Sequence, residues 1–172
     1  MRLDGRIAII TGAGSGLGRA GALAFAAEGA RVVASDLDAE RAEETAALVR
    51  AAGGEAHGVR ADVGRPADAK ALVDEAVARF GALDVLYNNA GIAPLGRDGF
   101  TPHIAEDDWD WIIRVNLTSV FLCCKYAIPV MAGRAGAAIV NTASSMAVLP
   151  LGMTDAYAAA KAGVANLTRS MA

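Results

Sequence analysis

The 172-residue chain is predicted to fold as a doubly wound α/β domain, a parallel sheet covered by helices on both faces. Three features of the sequence predict it. Short β-branched runs alternate with longer alanine-rich stretches, and a glycine cluster, Thr11-Gly12-Ala13-Gly14-Ser15-Gly16-Leu17-Gly18, joins the first run to the first stretch. No repeat, low-complexity tract or linker interrupts that alternation, so residues 1–172 read as a single domain. Strands separated by helices need crossovers, which are right-handed, and the sheet is then parallel with both faces covered. A hydrophobic content of 54% lets such a chain offset its ordering entropy.

The elements follow in order. Ile7 to Ile10 is a compact apolar strand that stops at Thr11-Gly12. Gly16 to Glu28 reads as a helix closed by Gly29, glycine being the usual residue past a helix end. Arg31 to Ser35 is the second strand, Asp38 to Ala52 the second helix, and Glu55 to Arg60 a weaker third strand. Pro66 opens a helix to Phe80, as proline suits a first helical turn, and Gly81 closes it. Leu83 to Tyr87 is the fourth strand, and a loop punctuated by Pro94, Gly96 and Gly99 runs from Gly91 to about Pro102. A long helix from about Glu106 to Met131, a fifth strand from Ala137 to Thr142 and a final helix from about Asp155 complete the set. The acidic cluster Asp107, Asp108, Asp110 suits the positive end of that long helix.

Composition excludes several functions. A net charge of −3 argues against nucleic acid as a partner, since a phosphate-binding face needs a basic excess. No apolar run is expected to approach a membrane span, and Met1-Arg2-Leu3-Asp4 leaves no room for a signal peptide before the first strand. The expectation is a cytoplasmic protein. Cys123 and Cys124 read as buried thiols on a helix rather than a disulfide or zinc framework. His57 and His103 read as surface or loop residues, and no metal site is expected.

The glycine cluster carries the first functional signal. A literal G-x-G-x-x-G at Gly16, Gly18 and Gly21 begins where the helix is already running, so the better-placed pattern is Gly12, Gly14, Gly16 and Gly18. Glycines between a strand and its helix let the backbone turn sharply and approach a pyrophosphate against the positive helix end. A glycine-rich turn without a ligand has the same composition, and Asp36 tips the balance. It ends the second strand, where a carboxylate accepts hydrogen bonds from ribose hydroxyls and repels a 2′-phosphate. Leu37 and Ser15 offer no positive charge, and Arg19 is expected to face solvent from inside the helix. NAD is therefore favoured over NADP.

The form T-G-x-x-x-G-x-G at Thr11 to Gly18, Asn88-Asn89-Ala90-Gly91 after the fourth strand and Tyr157-x-x-x-Lys161 on the last helix resemble the short-chain dehydrogenase/reductase family. Asn116 and Ser144 match two further family positions, and the resemblance runs from about residue 3 to the end. It implies a Rossmann fold and an oxidoreductase moving a hydride between NAD and an alcohol or ketone carbon. By the same resemblance, Gly12, Ser15, Gly16, Leu17 and Gly18 bind the pyrophosphate, while Asp36 and Leu37 flank the adenosine ribose. Asp62 and Val63 flank the adenine, with the Asp62 carboxylate near its amino group. Asn89, Ala90 and Gly91 lie along the ribose.

Tyr157 and Lys161 are four apart and share a helix face. A phenol ionises near pH 10, and a cation about 4 Å away at an effective dielectric near 20 favours its ionised form by at most about 4 kcal/mol. Lys161 is thus expected to lower the tyrosine pKa, making Tyr157 a general base for oxidation and a general acid for reduction. Family resemblance gives Lys161 a hydrogen bond to the nicotinamide ribose, Ser144 the substrate oxygen, and Asn116 a place in the proton relay. Ser145 is the register alternative to Ser144, and Ala147 stands where the family usually has glycine.

Two rival readings remain at this stage. A methyltransferase also uses a glycine loop and an acid after the second strand but has no use for Ser144, Tyr157 and Lys161, while a catalytically silent NAD-binding module needs only the loop. Family members continue past the Tyr-Lys helix with further strands and a substrate lid. The chain is therefore expected to be partial, with the fifth strand left as an open sheet edge. The loop from Ile92 to Pro102 is the candidate pocket wall, with Arg97 and Asp98 its charged residues. Trp109 is expected to pack and Trp111 to meet a partner subunit; the alanine-rich face from Ala156 to Ala160 with Ala162 suits helix contact in a homodimer or homotetramer.

Overall fold

The computed structural model describes residues 1–172. Five strands, β1 (Ile7–Thr11), β2 (Arg31–Asp36), β3 (Glu55–Arg60), β4 (Val85–Asn88) and β5 (Ala138–Asn141), form one sheet in the order β3-β2-β1-β4-β5. Every pairing is parallel. The helices are α1 (Gly16–Ala27), α2 (Ala39–Ala51), α3 (Pro66–Phe80), α4 (Glu106–Ile113), α5 (Ser119–Met131) and α6 (Asp155–Met171). This is the doubly wound α/β fold expected, with boundaries within about two residues.

Alternation along β1 builds both cores. Ile9 points to one face of the sheet, among Leu72, Leu83, Leu86 and Leu122, while Ala8 and Ile10 point to the other, among Val32, Ala34 and Val49. Local chemistry sets the helix ends. Asp38 accepts from the N–H groups of Glu40 and Arg41 at the start of α2, and Pro66 opens α3. Gly81 ends α3 in the left-handed region at φ 85°.

The long helix differs from expectation. Between α4 and α5 the chain makes a π turn over Arg114–Thr118 around the buried Asn116. An apolar pattern does not distinguish i→i+4 from i→i+5 bonding, so the interruption leaves no trace in composition. The Glu106–Met131 stretch also corrects the membrane expectation. Its most apolar window has a mean hydropathy of 1.3, long and apolar enough by composition to cross a membrane. Here it packs Val120, Leu122, Cys123, Cys124, Ala127 and Met131 into the core. Burial raises the pKa of both thiols, that of Cys123 to about 12 with Cys124 adding to the effect, so neither supplies a thiolate near neutral pH.

Three further expectations are corrected. Trp109 is 39% exposed rather than packed. Ala156, Ala158 and Ala160 are buried inside the chain, so that part of the alanine run offers no surface to a partner. Arg19 turns back from α1, donating to the carbonyl of Gly14 at 2.6 Å and to Thr45 and Glu44 at 3.0 Å each. A guanidinium has several donors, and the loop carbonyl and the two α2 side chains satisfy three of them. β5 stands at the sheet edge, paired only with β4, as foreseen.

The candidate cofactor and substrate clefts

The chain winds outward from β1 to β3, then crosses back to lay β4 on the other side of β1. Carboxyl ends of strands at such a reversal border a crevice in which ligands of open α/β sheets bind. A cleft of about 230 Å³ lies there, and Gly12, Asp36, Leu37, Asp62, Val63, Ala90 and Gly91 all reach its wall.

The glycine loop has the shape a phosphate needs, and each glycine has its own reason. Gly12 has φ +64°, and a Cβ there would come within 2.9 Å of Ala90. A Cβ on Gly18 would sit 2.1 Å from the Gly12 carbonyl oxygen. Gly16, at φ +52°, faces open space. Ser15 makes no side-chain capping bond, and Ser15, Gly16 and Leu17 are exposed at the amino end of α1, where first-turn N–H groups lack helical partners.

Asp36 is fixed by two backbone N–H groups, Gly14 on Oδ2 at 2.9 Å and Asp38 on Oδ1 at 3.1 Å. Asp62 accepts from Gly64 N–H at 3.0 Å, and Arg114 lies 3.2 Å from its Oδ2. Asn89 spends its side chain on the chain itself. It donates to the carbonyls of Thr11 and Gly12, clamping β4 to the glycine loop, while Ala90 and Gly91 line the cleft. Trp111 also lines the cleft, with the Arg97 guanidinium 4.3 Å from its ring centroid.

One buried polar atom is orphaned. Ser35 is 1% exposed, its Oγ has no hydrogen-bond partner, and the residue lines this cleft. Buried hydroxyls are normally paired, so the unpaired Ser35 hydroxyl suits a ligand that brings donors and acceptors to this wall. The open space at Gly16 and the Ser35 hydroxyl both fit a dinucleotide.

A second cavity, of about 460 Å³, opens beside the first, and Ser144 and Tyr157 both line it. Ser144 precedes a short 3-10 turn, Ser145–Ala147, and its Oγ accepts the N–H of Met146 at 3.2 Å. Ala147 sits in that turn without a positive φ, so the absent glycine costs no strain. Lys161 is one turn beyond Tyr157, 3% exposed, with Nζ donating to the Thr142 carbonyl at 2.8 Å and 5.7 Å from the Tyr157 ring centroid. Burial alone pushes its pKa down, because an ammonium is poorly solvated there.

Asn116 spends its side chain on the backbone. Nδ2 donates to the carbonyls of Ile92 and Ile112 and Oδ1 accepts the Ile92 N–H, each at 3.0 Å. It braces the loop after β4 against the π turn. A Cβ on Gly91 would lie 2.8 Å from Asn116 Oδ1 and 3.5 Å from Lys161 Nζ, so Gly91 keeps open the space between them.

Sequence reasoning missed Ser35, Arg114 and the cleft position of Trp111. Ser35 had a signal in hand, a polar residue in a strand buried on both faces, next to Asp36. Arg114 had none, because its partner lies 52 positions earlier.

Comparison with known proteins bears on the whole chain. A cyclohexanol dehydrogenase of Acinetobacter sp. (strain SE19) is 40% identical over 171 residues, 99% of this chain and 67% of that protein. A cis-4-hydroxycyclohexanecarboxylate dehydrogenase of Sinomonas cyclohexanicum is 44% identical over 167 residues, 97% and 66%. The crystal structure of a short chain dehydrogenase/reductase from Burkholderia phymatum in complex with NAD superposes with a TM-score of 0.93 at 40% identity. It is covered over 99% of this chain and 60% of its own. The chain thus spans about two thirds of the length of the curated relatives it matches. The family model for short chain dehydrogenases matches residues 6–172. With glycine loop, fold and match all running through nearly every residue, the chain belongs to the short-chain dehydrogenase/reductase family of oxidoreductases.

Proposed function

We propose that the protein is an NAD-dependent dehydrogenase acting on an alcohol, or in reverse on a ketone, with Tyr157 as general acid and base. The observation that carries this is the meeting of Ser144 and Tyr157 on one cavity wall, with the buried Lys161 one helical turn away. Bound NAD supplies the hydride acceptor for oxidation, and its reduced form the donor for ketone reduction. The chain's own residues hold the cofactor and move the proton.

The first turn of α1, from Ser15 to Gly18, holds the pyrophosphate, with Gly12 giving the backbone its turn. Asp36 accepts from the adenosine ribose and Leu37 flanks it; Asp62 and Val63 take the adenine, and Arg114 holds the Asp62 carboxylate in place. Asn89 fixes the loop that brings Ala90 and Gly91 against the ribose. The charge of Asp36 opposes a 2′-phosphate, which favours NAD over NADP. The NAD complex of the Burkholderia phymatum relative supports the same cofactor.

In oxidation Tyr157 accepts the hydroxyl proton as the carbinol carbon gives up its hydride. Lys161, one turn beyond Tyr157, bonds the nicotinamide ribose. Ser144 already accepts from Met146, so its hydroxyl hydrogen is free to donate to the substrate oxygen. Asn116 serves the proton relay by bracing the loop after β4 beside Lys161, where Gly91 leaves space between the two side chains. Trp109, Phe121 and Ile128, exposed along the Glu106–Met131 stretch, support a homodimer or homotetramer.

Turnover of a panel of alcohols with NAD, followed by NADH absorbance, tests the proposal. Tyr157→Phe is expected to lower kcat by about 10²- to 10⁴-fold while NADH affinity, read by nicotinamide fluorescence, stays within a few-fold. Tight NADH binding without turnover of any alcohol would instead favour a silent NAD-binding module.

A further inference from the structure

The names of the relatives include both a neutral and a carboxylated alcohol, so resemblance alone leaves the substrate's charge open. We propose that this cleft takes an uncharged alcohol with an apolar body, and that Asp98 excludes anionic substrates by occupying the amino end of α6. The inference rests on the reading of Ser144 and Tyr157 above and adds the class of molecule they act on.

An anion in this cavity would need either a cation or free backbone donors. No basic side chain lines it. Lys161 is turned to the Thr142 carbonyl, and Arg97 is paired with Asp108 and lies over Trp111, on the cofactor side. Among the backbone donors beside Tyr157, the first N–H groups of α6 lie where the helix dipole also favours negative charge. The protein's own carboxylate has taken them. Asp98, on the cavity wall, accepts from Ala156 N–H at 3.1 Å and Tyr157 N–H at 2.9 Å, and from its neighbour Gly99 at 2.9 Å. Asp155 adds a second carboxylate at the same helix end, held by the hydroxyl and N–H of Thr101, whose bonds lower its pKa and keep it charged. A substrate carboxylate would meet spent donors and like charge.

Beside Gly96, Gly152 and Thr154, the rest of the wall is apolar. Ala93, Pro94, Leu95, Met146 and Met153 line the cavity, with Leu95 97% and Met153 63% exposed. Met153 is also the one non-glycine residue with a positive φ, 68°. A bulky side chain held in the left-handed region at a cleft is a strained arrangement of the kind that persists where a site uses it. Uncharged apolar surface gains from burial on such a wall.

The test compares neutral cyclic and open-chain secondary alcohols with their carboxylated counterparts, cyclohexanol against 4-hydroxycyclohexanecarboxylate among them. Each is assayed with NAD and the full chain. The neutral member of each pair is expected to have at least about tenfold higher kcat/KM, equivalent to about 1.4 kcal/mol. Asp98→Asn and Asp98→Ala, each checked for retained NADH binding, are expected to shrink that ratio about tenfold, chiefly by lowering KM for the anion. A purely structural role for Asp98 would slow both substrates alike and leave the ratio unmoved. Wild-type turnover of the anion as good as the neutral alcohol, or a ratio unchanged in both variants, overturns the inference and leaves the dehydrogenase reading standing. Failure of the wild type to oxidise any member of the panel overturns both.

Discussion

Asp36 carries two loads with one carboxylate. Its oxygens hold the N–H groups of Gly14 and Asp38, fixing the glycine loop against the end of β2, while the residue faces the cofactor cleft. Asp36→Asn retains an oxygen acceptor and removes the charge. The ratio of kcat/KM for NADP over NAD is expected to rise by about tenfold or more, since apposed like charges cost several kcal/mol. Initial rates with each cofactor measure it, and an unchanged ratio would remove Asp36 from the specificity argument. The placement of Asp36 was legible from its position at the end of a β-branched run. The hydrogen bond from Gly14 was not, because it depends on how closely the loop folds over the strand. Tyr157 and Lys161 are similar: four positions on a helix put them on one face, but the bond of the buried ammonium to Thr142, just past the end of β5, joins residues 19 positions apart.

Among the elements, α1 is the most constrained at its start. Gly18 is buried, with the Gly12 carbonyl oxygen and Asn89 Nδ2 where a Cβ would go. Gly18→Ala therefore pushes the helix off the loop. An expected loss of about 1–3 kcal/mol in urea unfolding accompanies the overpacking, and NADH affinity should fall with it, because the first-turn N–H groups move. An alanine variant with wild-type stability and wild-type NADH binding would contradict that account. Periodicity exposed this helix and its glycine start, but the identity of the neighbour required β4 to be in place. The π turn at Asn116 was hidden for another reason. The Asn116 side chain at its centre bonds to Ile92, 24 positions earlier, and hydrophobic spacing carries no record of such a bond.

On the scale of the whole molecule, Asp84 ties the sheet together at the end away from the clefts. It is 2% exposed, accepts the Ile7 N–H at 3.0 Å and pairs with Arg6 at 3.2 Å and Arg134 at 2.9 Å. Burial acts to raise its pKa, but the Ile7 N–H and the two arginines outweigh it and hold the carboxyl below its ordinary value. A group depressed in the folded state contributes stability above its unfolded pKa and loses it as pH falls through the folded one. Part of the acid unfolding below about pH 4 is thus assigned to Asp84. Asp84→Asn is expected to cost about 1.5–3 kcal/mol at neutral pH, the range for hydrogen bonds to a charged group, and to flatten the acid limb below about pH 4. Thermal unfolding at pH 7 and at about pH 2 checks it: a variant that loses equal stability at both pH values would refute the linkage.

Local chemistry was sufficient for the order of strands and helices along the chain and for the glycine loop. Each of those depends on neighbours within a turn or two, so backbone propensity and side-chain periodicity encode it directly. Trp111 beneath Arg97, Arg114 against Asp62, the orphaned Ser35 hydroxyl and the Asp98 carboxylate on the start of α6 depended on the folded chain. Those contacts join segments far apart in sequence, and the right-handed crossovers that bring them together specify a topology, not the last few ångströms in which a donor finds its acceptor.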